Sequence, residues 1–211
     1  MGQVIPLSAK VQAQPEATRK LSYKEFLEQY ADTHAEWVDG EIIMGQPPSY
    51  AHQDDSDFLT ALLRFYVEVR KVGKIISAPF QMRLDEQKSG REPDLMFIAN
   101  ENLNRIKATY LDGPADMVIE IISPESIGRD RGEKFVEYEA AGIREYWIID
   151  PQRKQAEFYF LDDENRYELL FSGREGLFHS RVIEGLDLRV EWLWQTPLPE
   201  LKQVLHEMGV L

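Results

Sequence analysis

The chain contains no cysteine, which excludes disulfides and thiolate metal sites. It has four histidines, and His34, His179 and His206 lack any spacing that suggests a metal pair. No apolar run approaches the ~20 residues needed to span a bilayer. The opening MGQVIPLSAK lacks the long apolar core of a secretory signal. A cytoplasmic protein without a membrane partner is the expectation. Positive charge is also scarce, with 24 Lys and Arg against 37 Asp and Glu and a net charge of −13. That balance argues against a protein whose main task is to coat nucleic acid, since such affinity comes largely from Lys and Arg on phosphates. It leaves room for an enzyme that grips a phosphodiester through a metal and a few cations. There is no phosphate-cradling Gly-rich loop, no G-x-S-x-G elbow and no dinucleotide fingerprint. Asp54, Asp55 and Asp57 lack the glycine and terminal glutamate of a calcium loop. They are read as acids complementing a helix dipole.

What is present suits a globular domain. The 211 residues are 43% hydrophobic and 29% charged, enough for one sizeable core. Residues 1–20 show no periodicity and are expected to form a flexible arm, with 21–211 a single α/β domain. Ser22 and Glu25 form a capping box that opens a short helix. Asp39-Gly40 between two short apolar segments marks a hairpin. Phe58, Leu62, Phe65, Tyr66 and Val69 recur at helical spacing, and Gly73 is the expected C-terminal cap of that helix. "KIISAPFQMRL", "PDLMFIA", "ADMVIEIIS" and "EYWIID" read as strands. Between the last two, Asp130 and Glu133 suggest the capped start of a helix that Gly142 ends. A helix joining two buried strands implies a parallel crossover. Past Pro151, "AEFYFL" and "RYELLF" flank the turn "DDEN" as an antiparallel pair, followed by short strands and a last small helix.

Two carboxylates stand out. Glu120 sits inside the apolar run "ADMVIEIISP", where an unpaired charge is costly. A cation, a metal or a shifted pKa should hold it in place. Asp94 follows Pro93 at the start of a strand, where a turn aspartate is the plain alternative. The two fall on consecutive strands, which are often neighbours in space. Together they could bind a hard dication such as Mg²⁺, which uses one or two carboxylates and keeps several waters. Lys134 either lies on the surface or reaches back to stabilise phosphate charge, and Tyr138 shares its helix face. His52, at the start of the long helix, is a surface residue or a proton and phosphate contact. Glu36, beside the hairpin, is an exposed charge or a third carboxylate.

The element order, with "EPDLMFI", "DMVIEIISP" and "GEKFVEYEAAGIREYWIIDP", resembles the PD-(D/E)XK nuclease superfamily. It is most similar to the restriction-endonuclease-like family abundant in cyanobacteria, formerly a domain of unknown function. The similarity runs from about Tyr23 to Trp194 and includes "YKEFLEQY", "EWVDGEII" and the His that starts the long helix. It implies a restriction-endonuclease-like fold, a central mixed sheet flanked by helices with an added antiparallel C-terminal hairpin region. It further implies Mg²⁺- or Mn²⁺-dependent cleavage of DNA, with Asp94 and Glu120 as the acidic pair and metal ligands. The superfamily's lysine two residues beyond the Glu is here Ile122, and Lys134 is the candidate substitute. His52 and Glu36 are auxiliary candidates. A homodimer fits nucleases that cut both strands. Two rivals stand beside this reading. One is a non-catalytic binding or regulatory protein on the same fold. The other is a two-carboxylate glycosidase.

Overall fold

A computed structural model describes residues 20–30, 33–123 and 126–211. The expected N-terminal arm lies outside these residues, apart from Lys20. Helix α1 (Tyr23–Tyr30) opens on the Ser22–Glu25 box. The Ser22 N–H donates to the Glu25 carboxylate at 2.9 Å, and the Glu25 N–H to the Ser22 hydroxyl at 3.2 Å. Strands β1 (Ala35–Val38) and β2 (Glu41–Met44) form the expected hairpin. Its turn residues, Asp39 and Gly40, both have positive φ, 44° and 89°, as the right-handed strand twist demands of a two-residue loop.

Helix α2 (Tyr50–Arg70) is capped by Ser49, whose hydroxyl accepts from the His52 N–H. The helix therefore starts two residues before His52, and the acids at 54, 55 and 57 come after its first turn. Asp55 is buried, and burial followed by the field of Asp54 pushes its carboxyl up to about 7. That overturns its reading as a simple dipole complement. The left-handed C-cap is Lys71, not Gly73. Gly73 instead starts β3 (Gly73–Ser77), where an added Cβ would lie 2.3 Å from the Ile98 carbonyl oxygen. Its role is close strand approach.

The segment read as one strand is two. After β3 the chain passes Pro79, which has no N–H to extend a ladder, and enters β4 (Gln81–Leu84) in a different sheet. Then come β5 (Ser89–Arg91), β6 (Leu95–Ala99), a 3₁₀ turn (Asn100–Arg105), β7 (Tyr110–Asp112) and β8 (Met117–Ile121). A π-helical turn (Arg129–Glu133) runs directly into α3 (Lys134–Ala141), which ends on Gly142 at φ 78°. The rest is β9 (Glu145–Asp150), β10 (Gln155–Leu161), β11 (Tyr167–Gly173), β12 (Leu177–His179), β13 (Asp187–Arg189), a 3₁₀ turn (Val190–Trp194) and α4 (Leu201–Glu207).

The main sheet has six strands in the order β11-β10-β9-β8-β6-β3, and a second has five in the order β2-β1-β5-β4-β7. β8 and β9 pair in parallel around α3, as a helical crossover requires, and β6 pairs antiparallel to β8. β10 and β11 form the antiparallel C-terminal hairpin. Alternation along β8 divides the core. Met117, Ile119 and Ile121 pack under α2 with Leu59, Leu62 and Tyr66. Val118 and Ile122 face the other way, toward Tyr138 of α3 and Met82 and Leu84 of β4. Glu120 shares that second face, so its carboxylate enters the layer between the main sheet, α3 and the smaller sheet.

Candidate active site

Period-two geometry brings the two motif acids together. Leu95 pairs with Ile119, so Asp94 falls opposite Glu120, one step beyond the end of the ladder and on the same sheet face. The backbone locks the arrangement. The Ala78 N–H donates to the Asp94 carbonyl at 3.0 Å, and the Ile121 N–H donates to Asp94 Oδ2 at 2.6 Å. Asp94 is thus tied to the strand that carries Glu120. His52 Nε2, from the first turns of α2, lies 3.2 Å from Asp94 Oδ2, while its Nδ1 is buried without a partner. Burial disfavours the charged imidazole, but the bond and charge of Asp94 outweigh it and raise the pKa.

Glu120 is 3% exposed and is held by α3. Lys134 Nζ donates to Glu120 Oε1 at 2.9 Å, and the Tyr138 hydroxyl donates to the same oxygen at 2.8 Å. Residues 130, 134 and 138 follow the i, i+4 stripe of the helix, so all three meet the sheet at this point. Lys134 is 5% exposed and not a solvated surface residue. Its ammonium also lies 3.1 Å from Glu36 Oε1 and 3.4 Å from Asp130 Oδ1. Burial opposes that charge, yet Glu120, Glu36 and Asp130 together hold the lysine pKa well above its ordinary value. Burial drives the Glu120 pKa well up, helped by Asp130, Asp94 and Glu36 and opposed chiefly by Lys134.

Glu36 is buried as well, against its plainer reading as an exposed hairpin charge. β1 delivers it beside β5, where Arg91, 0% exposed, donates from Nη1 to Glu36 Oε2 at 3.0 Å. Burial would raise its pKa, but Lys134 and Arg91 prevail and lower it to about 2. Arg91 makes a bidentate pair with Glu137 at 2.8 and 2.5 Å. It also lies 3.6 Å from Glu133. Glu133 therefore serves Arg91 and is not the capping partner of Asp130. Asp130 is itself buried, and its Oδ1 has no hydrogen bond although Lys134 is within ion-pair range. The sequence reading missed Arg91, Glu137 and Asp130. The available signal was Asp130 four residues before Lys134, on the same helix face.

Carboxylates thus outnumber cations here. Glu36, Glu120 and Asp130 crowd around Lys134, with Asp94 opposite Glu120, and Arg91 is shared with Glu137. Among the described residues no three His, Asp or Glu side chains form a metal cluster by themselves. A cation at Asp94 and Glu120 would need water or substrate to complete its shell, as Mg²⁺ commonly does.

A mixed sheet flanked by helices, with an acidic pair on adjoining strands and a lysine over them, defines a restriction-endonuclease-like protein. Residues 23–191 match the Uma2 family, described as "Putative restriction endonuclease", and the chain belongs to that family. It is similar in structure to the crystal structure of a "putative nuclease belonging to DUF820" from Anabaena variabilis. The TM-score is 0.70 at 18% identity, over 82% of this chain and 97% of that one. No curated protein matches. Among the described residues no helix is long and apolar enough to cross a membrane.

Proposed function

We propose that this protein hydrolyses phosphodiester bonds in DNA, assisted by Mg²⁺ or Mn²⁺ held by Asp94 and Glu120. The observation that carries the reading is the meeting of these two acids on one sheet face under Lys134. Membership of a restriction endonuclease family and the nuclease title of the Anabaena protein support the class. The excess of carboxylates, with Asp130 Oδ1 in ion-pair range of Lys134 but not hydrogen-bonded, suits a hard dication. When bound, the ion supplies Lewis-acid polarisation of the phosphate and a more acidic water.

The chain's own groups do the rest. Lys134, fixed by Glu36, Glu120 and Asp130, replaces the lysine absent at Ile122 and stabilises negative charge developing on the phosphate. Tyr138 keeps Glu120 in one orientation. His52, bonded to Asp94, can hold or pass a proton near the attacking water. Glu36 fixes Lys134 against the face where Glu120 lies.

Plasmid nicking in Mg²⁺ or Mn²⁺, with calorimetric titration of the metal, tests this. Asp94→Ala and Glu120→Gln should each lower nicking on the order of 100-fold or more while the protein stays folded. Activity retained in both variants would remove the assignment. A second reading, a non-catalytic protein on this fold, is favoured by the engagement of Glu120 with Lys134 and Tyr138. Wild-type protein that binds neither metal would decide for it.

A further inference from the structure

One cation beside this site has no partner. Arg129 occupies the first position of the π-helical turn. Among the described residues its guanidinium makes no ion pair, hydrogen bond or ring contact, and its Nε is buried without an acceptor. In a chain of net charge −13 that is unexpected, because a desolvated N–H without an acceptor is costly. Arg131, two residues on, also has a partnerless Nε, but its Nη1 is taken by Glu157.

Arg129 lies four residues before Glu133, on the stripe of the turn that runs toward Arg91. The Lys134 N–H donates to the Arg129 carbonyl, so Arg129 stands one turn ahead of Lys134 and Glu133. Those residues reach Glu120 and Arg91. The turn follows β8 after seven residues, and Asp94 is bonded to Ile121 at the end of that strand.

The glycines on either side add an independent observation. At Gly128 and Gly132 an added Cβ would meet nothing within 4 Å. Neither has a positive φ, so neither is required by backbone conformation or close packing. Each forgoes the helix propensity that alanine would supply. Four residues apart, they share one stripe of the turn beside Arg129 and leave its backbone open there to the approach of a strand.

We propose that Arg129 grips a phosphate of the DNA backbone beside the Asp94–Glu120 pair, the strand lying over the bared turn between Gly128 and Gly132. This rests on the nuclease reading above and names the residue that positions its substrate. A planar guanidinium with free N–H groups suits bidentate contact with a phosphate.

The test measures binding of a fluorescent duplex DNA by anisotropy across a salt series, beside nicking kinetics and thermal melting, with full-length protein. Arg129→Ala should weaken binding roughly 10-fold and flatten the log K against log salt slope by about 0.9, one phosphate's worth. KM should rise more than kcat falls, and the melting temperature should hold. Arg129→Lys should recover the salt slope but only part of the affinity. Arg174→Ala, in the β11–β12 turn at the far edge of the main sheet, controls for loss of any positive charge. If wild type binds and nicks but Arg129→Ala matches it, or matches Arg174→Ala, this inference fails and the nuclease reading stands. If wild type neither binds nor nicks DNA, both fall.

Discussion

At the residue scale, the chemistry centres on which charges are buried and what surrounds them. Glu120 is held by an ammonium and a phenol, and the ammonium is held by two further carboxylates. Removing one member of such a cluster leaves the others uncompensated. Glu36 makes this measurable. Its pKa, lowered from 4.5 to about 2 in the fold, corresponds to about 3 kcal/mol of stability. The folded value lies below the unfolded one, so this stability is present above pH 4.5 and is lost as pH falls through about 2. Glu36→Gln should therefore be about 3 kcal/mol less stable than wild type at neutral pH in denaturant unfolding. The gap should close in strong acid. A gap of equal size at all pH values would show that its carboxylate is not what Arg91 and Lys134 stabilise.

At the element scale, short-range signals were legible where one local interaction decides the outcome. The Ser22–Glu25 box and the Asp39-Gly40 turn formed as read, because capping and turn geometry depend on neighbours in the chain. Ser22→Ala should cost about 1 kcal/mol of stability through lost capping. No change in melting temperature would mean that α1 is held by Phe26 packing alone. Other local readings failed where distant strands intervened. The run from Lys74 to Leu84 divides because its two halves find partners in different sheets. The Asp130–Glu133 capping pattern yielded to a wide π turn that buries Asp130 beside Lys134 and hands Glu133 to Arg91. Single π turns often mark functional positions, and this one carries three of the residues around the site.

At the scale of the whole molecule, the net charge of −13 sets the terms for any DNA partner. Binding must come from a few placed cations, so it should be modest and fall with salt. A two-fold homodimer, which we propose for double-strand cleavage, would put two sites on one duplex. In a plasmid time course a dimer should release linear product early, while a monomer should accumulate nicked circles first. Sedimentation of the same sample gives the matching mass. Nicked circles alone, with a monomer's mass, would remove the dimer.

The sequence by itself determined the helices α1, α2 and α3, the β1–β2 hairpin, the two-faced burial of β8 and the candidates Asp94, Glu120 and Lys134. Apolar periodicity and turn chemistry are local properties, and a charge inside an apolar run signals a partner wherever that partner lies. Only the tertiary structure decided which partners these were. It turned Glu36 inward, sank Arg91 between Glu36 and Glu137, and set Lys134 on Glu120. Those choices depend on strand register and on a helix packed across a sheet, which join residues far apart in the chain and leave no mark in local spacing.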